Sequence, residues 1–121
     1  MKRQSTDSFS QPVPLPAAAF HILIALAGGD LHGYAIMQEV AERTGGKIKL
    51  NPGTLYTTIH RLLEQGLVME LEERPDPDED DERRRYYRLT PQGRKVAKAE
   101  VTRLQELLLL AREAGLATDR R

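Results

Sequence analysis

The sequence contains no cysteine and no tryptophan, and only two of its 121 residues are phenylalanine. Without cysteine the chain forms no disulfide, no thiolate metal site and no cysteine nucleophile, and this composition suits a reducing, cytoplasmic compartment. No apolar run approaches the roughly 20 residues that span a bilayer, and residues 1–9 lack the apolar stretch of a secretory signal. These absences predict a small cytoplasmic protein without a membrane segment.

Catalytic and metal-binding patterns are missing as well. His21, His32 and His60 lie in separate segments, without the i,i+3 or i,i+4 spacing that brings two ligands together on one helix. The sequence has no glycine-rich phosphate loop and no nucleophile elbow. We therefore expect a protein that is not an enzyme and that carries neither a metal nor a cofactor.

The chain is long enough for one ordinary domain, and its 40% hydrophobic residues can build a core. Prolines at positions 12, 14 and 16 close a polar stretch, which predicts a flexible arm over residues 1–14. Apolar periodicity, glycine stops and Asn or Thr caps predict helices over residues 17–27, 34–44, 52–65 and 91–114. Alternating residues predict strands at 67–71 and 85–89 and a very short one at 47–50, with a turn at 30–33.

Three helices followed by a β-hairpin is the order of a winged helix-turn-helix, in which the third helix reads a groove of DNA. The predicted fold is therefore mainly α with a small β-hairpin. Residues 15–90 are expected to form the DNA-binding domain, residues 91–116 a long dimerisation helix, and residues 117–121 a tail.

Three motifs in this order carry a family resemblance: Leu-His-Gly-Tyr at 31–34, Pro-Gly-Thr-Leu-Tyr at 52–56, and Arg-Arg-x-Tyr-x-Leu-Thr-x-x-Gly at 84–93. With the closing leucine-rich helix, they make residues 15–116 similar to the PadR family of bacterial transcriptional regulators. The resemblance implies a dimeric winged-helix repressor of the small form, with one C-terminal helix. It also implies a small-molecule effector at the dimer interface that releases the protein from DNA.

The third helix carries the candidate reading surface. With Leu55 turned to the core, Thr54, Thr57 and Arg61 lie on the opposite face, where hydroxyl and guanidinium groups suit phosphates and base edges. Tyr56 matches a tyrosine of the family at this place, and packing beneath the wing is its alternative. The predicted DNA-binding residues are Asn51, Gly53, Thr54, Tyr56, Thr57, His60, Arg61, Arg84 and Arg85.

The net charge is zero, but the charge is separated along the chain. Residues 70–82 hold nine acidic side chains and one basic, so the rest of the chain has 17 basic against 9 acidic. Arginines at 83, 84, 85 and 88 follow at the wing and suit phosphates, with pairing to the acidic loop as the alternative. The acidic loop itself is expected to be extended and to lower non-specific affinity for DNA.

The last helix has more apolar surface than one small domain can cover. Ala97, Val101, Leu104, Leu108 and Ala111 repeat at alternating steps of four and three, which is a heptad seam. A two-fold dimer is the commonest way to cover such a stripe. The predicted interface residues are Phe20, Val101, Leu104, Leu107, Leu108 and Ala111.

The predicted function is sequence-specific binding of double-stranded DNA, as a homodimer on a palindromic operator. The alternative is a winged-helix module that binds another protein and not DNA. Such a module would expose apolar side chains on its third helix, whereas this sequence places Thr and Arg there.

Overall fold

The computed structural model describes residues 14–71 and 85–118. Four helices and three short strands follow one another along the described chain. They are α1 (Ala17–Ala27), β1 (Leu31–His32), α2 (Gly33–Arg43), α3 (Pro52–Glu64), β2 (Val68–Glu70), β3 (Tyr86–Leu89) and α4 (Pro91–Glu113). The predicted fold class is confirmed: the chain is mainly helical with a small antiparallel sheet. The predicted arm lies almost wholly outside the described residues, and the predicted domain limits stay predictions.

The core forms around α1, which is apolar on most of its surface. Ile22 and Leu23 of α1 are fully buried and pack with Ile36 of α2 and with Leu55 and Ile59 of α3. Burying a side chain of this size contributes about 1.5–3 kcal/mol. The apolar residues of α2 and α3 recur at helical spacing and face the core. The polar residues between them therefore face solvent.

Helix ends are set by local caps, as the sequence predicts for α3 and α4. The Asn51 side chain accepts a hydrogen bond from the Thr54 backbone N–H at 2.8 Å. The Thr90 hydroxyl accepts one from the Gly93 N–H at 2.9 Å. In both helices a proline follows the cap at the first helical position, where its missing N–H leaves no hydrogen bond unmade.

The sheet corrects two strand predictions. Residues 47–50 form no strand, and residues 31–32, predicted as a turn, pair with β3 as the third strand, giving the order β1-β3-β2. Ile48 and Leu50 pack against the core while Lys47 and Lys49 are exposed. The alternation at 47–50 thus reflects a loop with one side buried against the core. It is not a strand, because a strand forms only where a partner backbone pairs with it.

Candidate DNA-reading surface

The outward face of α3 is polar along its whole length. Leu55, Ile59 and Leu62 are buried, which turns the opposite side of the helix to solvent. The exposed residues on and just before the helix are Asn51, Pro52, Gly53, Thr54, Thr57, His60, Arg61 and Glu64, so only Pro52 among them is apolar. The structure therefore brings most of the predicted DNA-binding residues onto one accessible surface.

The N-terminal end of α3 favours negative charge. Its first turn contains no acidic residue to neutralise the partial positive charge of the free backbone N–H groups. Gly53 lies close to the cap, since a β-carbon there would stand 3.3 Å from the Asn51 side-chain oxygen. A small residue at position 53 leaves room for the Asn51 cap and for another molecule to approach the end of the helix.

Lys47 and Lys49 add to this surface, although neither is among the predicted DNA-binding residues. Lys47 and Lys49 are exposed in the segment that leads from α2 into α3, while the apolar residues between and after them face the core. The two lysines come four and two residues before Asn51, the N-cap of α3, where cations suit phosphate contacts. These lysines are the polar half of the alternation at residues 47–50, a pattern that predicts a strand but here belongs to a loop with one charged side.

Tyr56 points inward. Its side chain is half-buried, its hydroxyl oxygen is buried, and the ring lies against Gly33 at the start of α2. The ring thus packs against the start of α2, whereas the alternative drawn from the sequence was packing beneath the wing. The hydroxyl faces the protein interior, whereas a DNA contact requires it to face solvent.

The Leu31–His32 strand joins the wing to the helix-turn-helix. The His32 Nδ1 atom accepts a hydrogen bond from the Ala35 backbone N–H at 3.1 Å and so caps α2. The same imidazole meets the Tyr86 ring of β3 edge-on, with centroids 5.2 Å apart. Because Nδ1 is the acceptor, the ring is the neutral tautomer with its hydrogen on Nε2.

The described wing arginines are paired within the protein. Arg88 donates two hydrogen bonds to the Asp30 carboxylate at 3.1 and 2.8 Å, and these bonds hold the pKa of Asp30 below its usual value. Arg85 lies 3.6 Å from a Glu70 carboxylate oxygen, so pairing with the first acidic residue of the wing is realised there. Arg83 and Arg84 lie outside the described residues.

The second half of α4 exposes the predicted seam. Val101, Leu104, Leu107 and Leu108 are 38–52% exposed, and Ala111 is half-buried. On α1, Phe20 is half-buried, and Ile24, one turn further along the same side, is 40% exposed. Ile24 extends the apolar surface and was not among the predicted interface residues. Because α1 is apolar on almost every side, its sequence does not show which side of the helix faces solvent.

Glu100 on α4 is buried, although a glutamate is ordinarily exposed to solvent. Its side chain is only 3% exposed and accepts two hydrogen bonds from Arg103, each 2.8 Å long. Those bonds, the positive charge of Arg103 and a hydrogen bond from the Leu15 backbone hold the pKa of Glu100 below its usual value, against the opposing effect of burial.

The described residues contain no group of three or more His, Cys, Asp or Glu side chains placed to hold a metal ion. None of the helices in residues 14–71 and 85–118 is both long and apolar enough to cross a membrane.

Three helices, a small antiparallel wing and a polar third helix define a winged helix-turn-helix protein of the DNA-binding class. The family described as "Transcriptional regulator PadR-like family" matches residues 22–99 of the chain. The transcriptional regulator Rv3488 of Mycobacterium tuberculosis is 40% identical over 91 residues, which cover 75% of this chain and 78% of that protein. The chain therefore belongs to the PadR-like family of transcriptional regulators.

Solved structures show the same fold. A transcriptional regulator from Clostridium thermocellum superposes with a TM-score of 0.68 at 26% identity, covering 79% of this chain and 87% of that one. The Bacillus subtilis PadR protein in complex with operator DNA superposes with a TM-score of 0.61 at 20% identity. That match covers 73% of this chain and 48% of the B. subtilis chain, and at this identity it shows only that the two chains share a fold.

Proposed function

We propose that the protein is a sequence-specific DNA-binding repressor that places α3 in the major groove. The observation that carries the proposal is the outward face of α3, where Thr54, Thr57 and Arg61 are exposed and no large apolar residue accompanies them. Thr hydroxyl and methyl groups and the Arg guanidinium are side-chain groups that distinguish base pairs in the major groove. Lys47 and Lys49 stand before the same helix end, where they would contact phosphates.

This surface speaks against a protein-binding module. A module that binds another protein through α3 would need a buried apolar centre with aromatic or aliphatic anchors. The apolar residues of α3 are instead used in the core, as Leu55, Ile59 and Leu62 show. We therefore assign this surface of α3 to the binding of DNA.

The proposed regulator is a homodimer held by the second half of α4. The exposed seam is apolar over more than two helical turns, and a helix that leaves such a stripe to water loses about 25 cal/mol for each Å². The first half of the same helix already packs on its own domain through Val96 and Ala97. The first half of the helix, including Ala97 of the predicted seam, thus serves the domain, and the apolar surface of the second half is left for a second copy of the chain.

An effector site between the subunits is part of the proposal. Phe20 and the seam leucines are apolar and partly exposed, so they suit the walls of an apolar cavity closed by the partner. A compound that binds there would raise the Tm of the dimer and weaken its hold on the operator. A ligand that raises the Tm while leaving operator affinity unchanged would contradict regulation through this site.

Selection of random DNA duplexes on the purified protein, followed by sequencing, tests the proposed function. We expect an imperfect palindrome whose half-site centres lie about 34 Å apart or a multiple of that distance. Affinity for the enriched duplex should fall steeply with salt. Enrichment of no sequence, with binding that does not depend on salt, would favour the protein-binding module. Half-sites repeated head to tail would contradict the two-fold dimer.

A further inference from the structure

A shallow groove lies on one flank of α3, between the reading helix and the start of α1. Its lining residues are Leu15, Pro16, Ala19, Thr58, Arg61, Leu62 and Gln65. The cavity volume is about 60 Å³, whereas a pocket for a small organic ligand measures about 300–1,000 Å³. At about 10–15 Å³ for each water-sized group, the groove has room for a handful of atoms, about the size of a phosphate.

The α3 side of the groove is part of a polar stripe along the reading helix. Its members recur at steps of four, three and four residues, which places them within an arc of about 60°; they are Thr54, Thr58, Arg61 and Gln65. Thr58 is half-buried, and the other three residues are exposed. The side chains of Thr58, Arg61 and Gln65 make no hydrogen bond or ion pair in the part of the chain that the structure describes.

The groove carries charge of one sign only. Arg61 contributes a guanidinium group, and no acidic side chain is among the lining residues. The first turn of α1 has no acidic residue either. Glu64, the acidic residue of α3, lies about 60° from Arg61 on the side away from Thr58 and is not part of the lining. A small anion therefore complements the groove in both size and charge.

The anion that flanks a reading helix is the backbone of the DNA. A helix in the major groove has a phosphate strand on either side, and phosphates and sugars take about half to two-thirds of protein–DNA hydrogen bonds, with Thr and Gln among the donors. Thr58 and Gln65 lie about 40–100° around the helix from Thr57 and Arg61. When Thr57 and Arg61 face the base edges, Thr58 and Gln65 therefore face one of the two strands.

We propose that the groove between α1 and α3 binds one phosphate of the DNA backbone, with the Thr58 hydroxyl and the Gln65 side-chain amide as donors. This inference rests on the proposed function, because it requires α3 to lie in the major groove. Arg61 stays on the base-facing side and adds positive charge at the edge of the groove. The start of α1 forms the opposite wall, although its apolar sequence predicts only core packing. A phosphate held there carries no sequence information and fixes the position of α3 on the duplex.

Pro16 allows a charge to be placed in the groove while the fold is kept. It lines the groove, is exposed, and is the N-cap residue of α1 in an extended conformation, with φ −58° and ψ 148° and no side-chain cap hydrogen bond. Asp and Asn are both favoured N-cap residues. Pro16→Asp and Pro16→Asn should therefore both fold, which circular dichroism and the Tm check, and the two variants differ only in charge.

The first measurement is the affinity for the selected operator and for random duplex, by fluorescence anisotropy at low and at physiological salt. We expect Pro16→Asp to bind both duplexes about fivefold or more weakly than Pro16→Asn at low salt, because its carboxylate repels the phosphate. The ratio of operator to random affinity should be the same for both variants, since the backbone is common to all sequences. Ala99→Glu adds a negative charge at an exposed position of α4 and controls for net charge; it should bind nearly as the unchanged protein does.

The second measurement locates the phosphate. Operator duplexes carry a neutral methylphosphonate at one position at a time, within about two nucleotides of the base pair whose preference Arg61→Ala relaxes. This window follows because Thr58 and Gln65 lie within about 6 Å of Arg61 along the helix, and the phosphates of one strand follow at about 3.4 Å along the duplex axis.

At one position in each half-site, the neutral group should weaken the unchanged protein about threefold or more. On that duplex the difference between Pro16→Asp and Pro16→Asn should disappear, because the charge that repels Asp is gone. Thr58→Val, which lacks the hydroxyl, should lose affinity on the native operator and lose nothing further on the modified one.

Equal affinities of Pro16→Asp and Pro16→Asn for both duplexes would overturn the inference, and so would a scan in which no methylphosphonate removes their difference. A Pro16→Asp protein weakened on the operator but not on random duplex would overturn it as well, because a phosphate contact does not discriminate between sequences. Each of these results leaves the proposed function intact. Failure of the unchanged protein to bind any selected duplex would instead contradict the proposed function.

Discussion

Gly33 lies against the phenol ring of Tyr56, so closely that a β-carbon at Gly33 would overlap the Tyr56 hydroxyl oxygen. This approach brings the start of α2 onto α3 and fixes how the reading helix sits on the helix before it. The two residues are 23 positions apart and belong to two of the motifs that identify the family in the sequence.

Gly33→Ala should therefore destabilise the protein by overpacking. Inserting a methyl group into a packed contact costs about 1–3 kcal/mol, and the better helix propensity of alanine offsets at most about 1 kcal/mol. Urea unfolding of Gly33→Ala should show a net loss of free energy of unfolding. In the double variant with Tyr56→Phe, removal of the hydroxyl should restore part of that loss. Strictly additive losses in the double-mutant cycle would show that the two residues are not coupled.

Leu104→Asp should separate the proposed dimer, because it would bury an unpaired carboxylate at the seam. Leu109→Asp is the matched control: Leu109 is also exposed but lies about 140° around the helix from Leu104. Light scattering should report a monomer for Leu104→Asp and a dimer for Leu109→Asp, with operator binding lost only in the first. Two dimeric variants would place the interface elsewhere.

Acid should weaken the fold through Glu100. Its pKa is lowered in the folded protein by Arg103, so its contribution to stability is complete above the pKa of the unfolded chain, about 4.3, and is lost as pH falls through the lower folded value. Asp30, lowered by Arg88, acts in the same direction. The difference in free energy of unfolding between the protein and Glu100→Gln should shrink between pH 6 and the acid limit, roughly pH 2–3. A difference that does not change with pH would show that the pair leaves the carboxyl pKa unaltered.

Local chemistry explains which parts of the fold the sequence predicted. The Asn51 and Thr90 caps lie within three residues of the backbone N–H groups that they accept from, so each helix start is visible in a few consecutive residues. The apolar periodicity of α3 likewise predicted which of its residues are exposed. The family resemblance is confirmed by the match over residues 22–99.

Contacts between distant segments explain the rest. The two-residue strand Leu31–His32 exists only because β3 pairs with it some 55 positions later, and two residues carry no periodicity. Glu100 is buried in a helix that packs against α1, some 75 positions earlier in the chain, and a glutamate in a charged stretch of helix is otherwise expected in solvent. Arg88 and Asp30 pair across 58 positions, which composition alone does not reveal.

Arg61 is the residue that tests most directly whether the outward face of α3 reads bases. Arg61→Ala and Lys49→Ala each remove one exposed cation, the first from the middle of the reading helix and the second from the segment before it. From its position in the sequence, Arg84 is expected to behave as Lys49 does.

The measurement is the ratio of affinities for the selected operator and for random duplex, taken at several salt concentrations. Arg61→Ala should lose about 1–3 kcal/mol on the operator and relax the preference at one base position, so the ratio falls. Lys49→Ala should weaken both duplexes alike and flatten the salt dependence, so the ratio stays. Equal losses on operator and random DNA for Arg61→Ala would contradict base reading by α3.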